Sequence, residues 1–149
     1  EISPKGSFGT TAPYGNQDTP FKLAELVAAA GASYSARWTT VQIENLVLSI
    51  KAGLENPGFS FIEVATQCPT YFGRKNKLKT PTAMVAVMKA NTVFKSAADR
   101  MRPKELEGKI VVGEFANARR DEFTENIDKM SVEKSGKKTL INSAYEKEL

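Results

Sequence analysis

The order of helix-like and strand-like stretches between residues 19 and 65 constrains the fold more than any other feature of this chain. Thr19 is a candidate cap and Pro20 suits a first helical position. Leu23, Leu26, Val27 and Ala30 then follow 3.6-residue spacing until Gly31 closes the helix. Residues 32–37 read as a short strand ending at Trp38, after which Thr39 and Gln42 have the spacing of a capping box. The second helix carries its apolar face on Ile43, Leu46, Val47, Ile50 and Leu54, and Asn56-Pro57-Gly58 stops it. Residues 59–64, Phe-Ser-Phe-Ile-Glu-Val, are aromatic and β-branched, as an interior strand of a parallel sheet would be. Strand, helix, strand in that order is a βαβ unit with a right-handed crossover, so the fold class expected is α/β, a mostly parallel sheet with flanking helices. Ligand sites in such sheets lie beyond the carboxyl ends of the strands. Trp38 and Cys68 both sit just past such an end.

The remaining segments are less regular. Residues 1–20 are broken by Pro4, Gly6, Gly9, Pro13, Gly15 and Pro20 and form a long loop. Such loops are usually functional or disordered; opening on Glu1 without a Met, this one reads as beginning in mid-fold, with a floppy amino terminus as the alternative. Thr80-Pro81 opens a helix carrying Met84, Val85, Val87, Met88 and Asn91. Residues 95–108 read as a charged connector, residues 109–115 as a further strand and residues 121–130 as a last short helix. Residues 131–138 are polar and basic, and Leu140, Ile141, Ala144 and Tyr145 suggest either an amphipathic turn or a loose tail.

Composition narrows the function. At 149 residues and 41% hydrophobic, the chain is long enough for one ordinary core. It has no apolar run of membrane-spanning length and no signal-like amino end, so the default is a soluble cytoplasmic protein without a membrane partner. A net charge of +4 is modest. Nucleic-acid binding would need exposed aromatics interleaved with Lys and Arg on one face, and here the aromatics fall mostly in the strand and the loop, so that reading ranks last. The absence of histidine removes the commonest near-neutral acid–base group, so any catalysis leans on a cofactor, a carboxylate or another chain.

The single cysteine, Cys68, stands in Thr66-Gln67-Cys68-Pro69-Thr70-Tyr71-Phe72-Gly73-Arg74-Lys75-Asn76, directly after the second strand. From the residues alone it is either an inert, half-buried thiol or one ligand of an iron–sulfur cluster. Arg74, Lys75, Lys77 and Lys79 follow as a basic cluster, either a solvated loop or a surface for an acidic partner. Arg119 and Arg120 are a weaker case of the same kind. Met84 and Met88, at helical spacing, read as core filling. Trp38 reads equally as packing or as an interface anchor.

Taken together, residues 4–16 (Pro-Lys-Gly-Ser-Phe-Gly-Thr-Thr-Ala-Pro-Tyr-Gly-Asn), 58–64, 67–76 and 106–114 resemble, in order, the thiamine-diphosphate-binding beta subunit of 2-oxoacid:ferredoxin oxidoreductases. The likeness is nearest to the 2-oxoglutarate (2-oxoglutarate synthase) type and runs from about residue 3 to 130. It implies oxidative decarboxylation of a 2-oxoacid with coenzyme A, giving an acyl-CoA, carbon dioxide and reduced ferredoxin. Its implied partners are an alpha subunit and ferredoxin, and its implied cofactors are thiamine diphosphate, Mg2+ and a 4Fe-4S cluster.

Carried over residue by residue, the resemblance makes Cys68 one cluster ligand and puts Ser7, Thr10 and Thr11 in a loop near the cofactor. It leaves Arg74, Lys75, Lys77 and Lys79 to meet ferredoxin or the phosphates of coenzyme A. The family's Cys-x-x-Cys and Gly-Asp-Gly motifs are missing, and no Gly-Asp pair exists in the sequence. The expectation is therefore the carboxyl-terminal portion of a beta subunit: residues 1–66 from the cofactor-binding domain, 67–130 a carboxyl-terminal domain with the cluster-ligand loop, and 131–149 a polar tail. By itself such a chain would bind neither cofactor well, and no catalytic residue is singled out. The alternative is a non-catalytic binding or assembly module, or a truncated inactive fragment. A partial sheet would also expose an edge or a face and invite self-association.

Overall fold

The structure is a computed structural model that describes residues 3–136. The order of elements is α1 (Leu23–Ala29), β1 (Tyr34–Thr39), α2 (Ile43–Glu55) and β2 (Ser60–Ala65), then a single π-helical turn (Pro69–Gly73) and α3 (Pro81–Asn91). After these come β3 (Thr92–Phe94), α4 (Lys95–Ala98), a 3-10 turn (Pro103–Leu106), β4 (Ile110–Asn117) and α5 (Phe123–Ser135). The four strands form one sheet in the order β2-β1-β4-β3. β1 is parallel to β2, with Tyr34 opposite Ser60 and Thr39 opposite Ala65, and β3 is parallel to β4. β4 runs antiparallel to β1 with an irregularity at Ser35/Ala36, so strands from before and after residue 66 share a sheet.

β1 is the central strand of the core and its faces differ, as side-chain alternation requires. Tyr34, Ala36 and Trp38 join Leu46 and Val112 in the main apolar cluster, with Ala52, Ile62 and Ile110 packed against it. The face toward α1 is buried but polar: Ser35, Arg37 and Thr39. Ser35 Oγ donates to the Ala24 carbonyl (2.7 Å). Arg37 reaches Glu25 and Glu63, and its Nη1 also donates to the Val111 carbonyl (3.2 Å).

Several boundaries differ from those read in the sequence, each for a local reason. α1 begins at Leu23 without a side-chain cap rather than at Thr19-Pro20. β1 continues through Trp38 to Thr39, because Thr39 Oγ1 accepts from the Val41 amide and folds the chain back two residues later than expected. Thr80 does cap α3, accepting from the Ala83 amide at 3.2 Å with Pro81 in the first turn. The segment read as a charged connector holds α4 and the 3-10 turn, and β3 precedes it; three residues are too few for a pattern in the sequence. α5 runs to Ser135, five residues into the segment expected to be a polar tail, and is closed by Gly136 in the left-handed region. The amphipathic turn considered at Leu140, Ile141, Ala144 and Tyr145 lies outside the described residues.

The largest departure is in α2. Of the face expected to be buried, only Leu46 is; Ile43, Val47 and Ile50 are exposed and Leu54 is 83% exposed. The inward stripe is instead Leu46, Ser49 and the small pair Ala52-Gly53. The reason is the bulk of the aromatic rings beneath. Trp38 Nε1 donates to Ser49 Oγ at 2.6 Å. A Cβ at Gly53 would stand 3.1 Å from Ile62 Cδ1 and 3.6 Å from the Tyr34 ring. Beyond Leu46 the helix comes close through its small residues, which leaves its other large ones facing out.

Candidate functional site: a cysteine turn and the loop clasped to it

The chain leaves β2 at Ala65 and enters the π-helical turn with Cys68 at its amino end. Gly73 N donates to the Cys68 carbonyl (2.9 Å) and Leu78 N to the Gly73 carbonyl (2.8 Å), so two reverse turns follow each other. Gly73 is required here by space. An added Cβ would lie 2.5 Å from the Leu78 carbonyl oxygen, closer than real contacts come, and a tight 3.0 Å from Met84 Sδ. Lys77 takes a left-handed φ of 61° to complete the return, an uncommon conformation for a residue with a side chain. Met84 and Met88 are buried beneath, as core filling.

The Cys68 thiol is exposed and free. The backbone N–H groups of Phe72 and Tyr71, with that of Thr70, hold its pKa below that of an ordinary thiol. Donors near the sulfur favour the thiolate, which is the form that binds metal or attacks an electrophile. Among the described residues, no group of three or more His, Cys, Asp and Glu side chains converges on a point. Arg74, Lys75, Lys77 and Lys79 are all exposed in the segment that closes the turn. None of the four belongs to an ion pair among the described residues.

The opening loop is folded upon itself. Gly6 N donates to the Asn16 carbonyl (2.7 Å), Asn16 N to Ser7 (2.8 Å), and Gly9 N and Gly15 N both to Ala12 (3.1 and 3.2 Å). Asn16, 5% exposed, braces the inside: its Nδ2 donates to the carbonyls of Ser3 and Asp18 and its Oδ1 accepts from the Asp18 amide. At the crossing, Gly15 has φ +94° and stands so near the Gly6 carbonyl that a Cβ would be 3.3 Å from its oxygen. Ser7 is buried and its hydroxyl donates to the Pro4 carbonyl at 2.6 Å, whereas Thr10 and Thr11 are exposed. The loop meets the cysteine turn at Asn76. Phe8 N donates to Asn76 Oδ1 (2.8 Å), and Asn76 Nδ2 donates to the Phe8 carbonyl (3.0 Å) and to that of Phe72 (2.9 Å). Thus the two stretches singled out in the sequence are brought together through residues 68 apart in the chain.

The other residues singled out serve the fold. Trp38 is buried edge-on to Phe94, with ring centroids 6.1 Å apart and planes at 65°, so it packs rather than projects. Arg120 Nη1 donates to the Gly31 carbonyl at 3.0 Å. An open cleft lined by Ser33, Pro57, Phe59, Arg120 and Phe123 lies away from Cys68. Sequence reasoning missed Asn76 as a contact residue and missed the buried Arg37. Arg37 in an otherwise strand-like run was the available signal, since a charge there must find partners.

Compared with known proteins, the chain is 57% identical over 143 residues to the 2-oxoglutarate synthase subunit KorB of Methanothermobacter marburgensis, a match covering 96% of this chain and 50% of that protein. It is 46% identical over 128 residues to the KorB subunit of Methanocaldococcus jannaschii, covering 86% of this chain and 47% of that protein. Over nearly all of its length the chain is similar to KorB subunits of 2-oxoglutarate synthase. It spans about half the length of the curated KorB relatives it matches. No family model matches it. Among solved structures, it is similar to the 2-oxoglutarate:ferredoxin oxidoreductase of Magnetococcus marinus, solved with 2-oxoglutarate, coenzyme A and succinyl-CoA bound. The TM-score is 0.67 at 22% identity, over 89% of this chain and 45% of that one. That likeness establishes a shared α/β fold with a four-stranded sheet, and the KorB matches make the chain kin to subunits of an oxidoreductase.

Proposed function

We propose that this chain is the cysteine-bearing, carboxyl-terminal portion of a 2-oxoacid:ferredoxin oxidoreductase beta subunit, with 2-oxoglutarate as the favoured substrate. Working with an alpha subunit in the cytoplasm, the enzyme converts the 2-oxoacid and coenzyme A to an acyl-CoA and carbon dioxide and passes electrons to ferredoxin. The observation that carries this reading is the 57% identity to KorB across nearly all of the chain. The exposed thiol of lowered pKa at the end of β2 supports it.

The chain's residues fit one ligand position of a 4Fe-4S cluster. Cys68 is accessible, nearby backbone N–H groups lower its pKa and so favour the thiolate, and Gly73 keeps the turn tight enough to present it. The remaining ligands fall to residues outside this chain's single cysteine, and with no Gly-Asp pair present the diphosphate and its Mg2+ are assigned elsewhere too. When bound, thiamine diphosphate supplies the carbanion chemistry and the cluster carries single electrons. Arg74, Lys75, Lys77 and Lys79 offer exposed positive charge in the segment that follows Cys68, which raises the encounter rate of an acidic electron acceptor and suits the phosphates of coenzyme A. Thr10 and Thr11 face outward on the clasped loop, where hydroxyls can meet a bound cofactor. Ser7, with its hydroxyl turned to Pro4, supports the loop from within.

The test is an anaerobic visible spectrum of the complex purified from its native source, with and without Cys68→Ala. Broad iron–sulfur absorption that falls in the variant, together with loss of ferredoxin reduction, is the expected result. A native complex with no chromophore and no thiamine overturns it. That outcome favours the second reading, a non-catalytic assembly module or inactive fragment, which is itself motivated by the span of half a subunit and the single cysteine.

A further inference from the structure

The opening loop and the cysteine turn are joined in an unusually economical way. Among the described residues, the hydrogen bonds of residues 4–18 close within the loop itself, apart from the two that Phe8 exchanges with Asn76. A carboxamide that accepts from the N–H and donates to the C=O of one residue reproduces the pairing of a neighbouring strand. Its second N–H goes to the Phe72 carbonyl, to which the Asn76 backbone N–H also donates (3.0 Å). Three partners of fixed polarity therefore decide which end of the amide is oxygen and leave it no freedom to rotate. No other side chain of this size does the same: Asp lacks the donors, Leu lacks both functions, and Gln is a methylene longer.

We infer that Asn76 is a positioning residue, a latch that sets the register of the opening loop, with Thr10 and Thr11, against the turn that presents Cys68. The loop is braced internally by Asn16 and so moves as a unit; holding Phe8 holds all of it. The purpose of the latch rests on the function proposed above, in which the loop lies at the cofactor and Cys68 at the cluster; Asn76 then fixes the spacing between the two centres while touching neither. The geometry of the latch stands independently of that reading.

The test is residue-resolved amide hydrogen exchange on the purified complex carrying Asn76→Ala, Asn76→Leu or Asn76→Asp. Removing two hydrogen bonds should speed exchange of the Phe8 amide by about tenfold or more in the Ala and Leu variants. The Gly6 and Asn16 amides, held within the loop, should not change. Asp keeps an acceptor and should retain protection at Phe8. The same Ala variant should lower kcat while KM for the 2-oxoacid, bound thiamine and cluster absorbance stay at wild-type levels. An unchanged Phe8 amide overturns the latch, as does equal acceleration at Gly6 and Asn16, which would mean that Asn76 folds the loop rather than registers it. Expected exchange with an unchanged kcat overturns the positioning role. A wild-type complex without cluster or thiamine defeats the proposed function alone, and the exchange result still decides the latch.

Discussion

The two faces of β1 are buried by opposite means. Toward α1, burial is polar: Arg37, 7% exposed, is enclosed by Glu25, Glu63, the Val111 carbonyl and the Phe115 ring 5.1 Å from its guanidinium carbon. Toward α2, burial is apolar, yet the helix that covers it turns most of its own larger side chains outward. A buried charge is tolerated only when each partner is in place, and it fixes one arrangement in exchange for stability it barely adds. An apolar contact is forgiving in detail and strong in sum. The contrast implies that α1 is held by specificity and α2 by close approach, and each can be tested by breaking it.

The largest effect is expected at Arg37. Burial alone would lower its pKa, but Glu25 and Glu63 outweigh that and hold the guanidinium above its ordinary value, so the charge is present throughout the accessible pH range. Arg37→Met leaves two carboxylates facing a closed site and should destabilise the fold by about 3–5 kcal/mol, read from urea unfolding. Converting Glu25 and Glu63 to Leu in the same chain should recover much of this. Recovery will be incomplete because Glu63 Oε2 also accepts from the Ala24 amide at 3.2 Å, a donor then left unpaired. A triple variant no more stable than the single one would mean that the α1 face depends on packing after all.

Next comes the α2 side. Leu46→Ala removes a buried side chain from the central cluster and should cost about 2–4 kcal/mol, whereas Ile50→Ala one turn along should cost well under 1 kcal/mol. Equal losses would mean that the stripe read from the sequence is the one that packs. This is also where the sequence was least legible. The succession of β1, α2 and β2, the Asn56-Pro57-Gly58 stop and the Thr80 cap are local signals and were read correctly, whereas β3 was missed and β2, read as an interior strand, lies at the sheet edge. Which stripe of α2 faces inward depends on the rings of Tyr34 and Trp38 across the interface, and periodicity alone favours the more apolar side. The site divides the same way. Cys68 and its loop were visible as a motif, while the Asn76–Phe8 clasp joins residues 68 apart and leaves no trace in local spacing.

A pH series probes the apolar face more gently. Tyr34 donates to Glu114 Oε1 at 2.8 Å, and its pKa is pushed up to about 12, first by burial and then by that carboxylate, with Ser49 pulling the other way. The neutral phenol is thus favoured in the folded chain. Its contribution is fully present below the unfolded value of about 10 and is lost as pH rises from there through about 12. Tm should fall over that window, and Tyr34→Phe should flatten the part of the fall due to this group. An unchanged alkaline slope in Tyr34→Phe would place the loss elsewhere, for example in lysine deprotonation.

The smallest effect on stability, and the sharpest on behaviour, is expected from the outward stripe of α2. Ile43, Val47, Ile50 and Leu54 are exposed and recur at spacings of four, three and four, which lines them along one side of the helix. Such a row contributes little to folding because it stays in contact with water, yet it is the kind of surface on which molecules associate. Val47→Lys with Ile50→Lys should therefore leave the urea midpoint within about 0.5 kcal/mol of the parent while lowering light scattering at high concentration. Lys is a good helix former, so a loss of helicity would not confuse the result. If instead the pair destabilised the chain as much as Leu46→Ala, the stripe would be part of the core, and the account of α2 approaching through Ser49 and Gly53 would have to be abandoned.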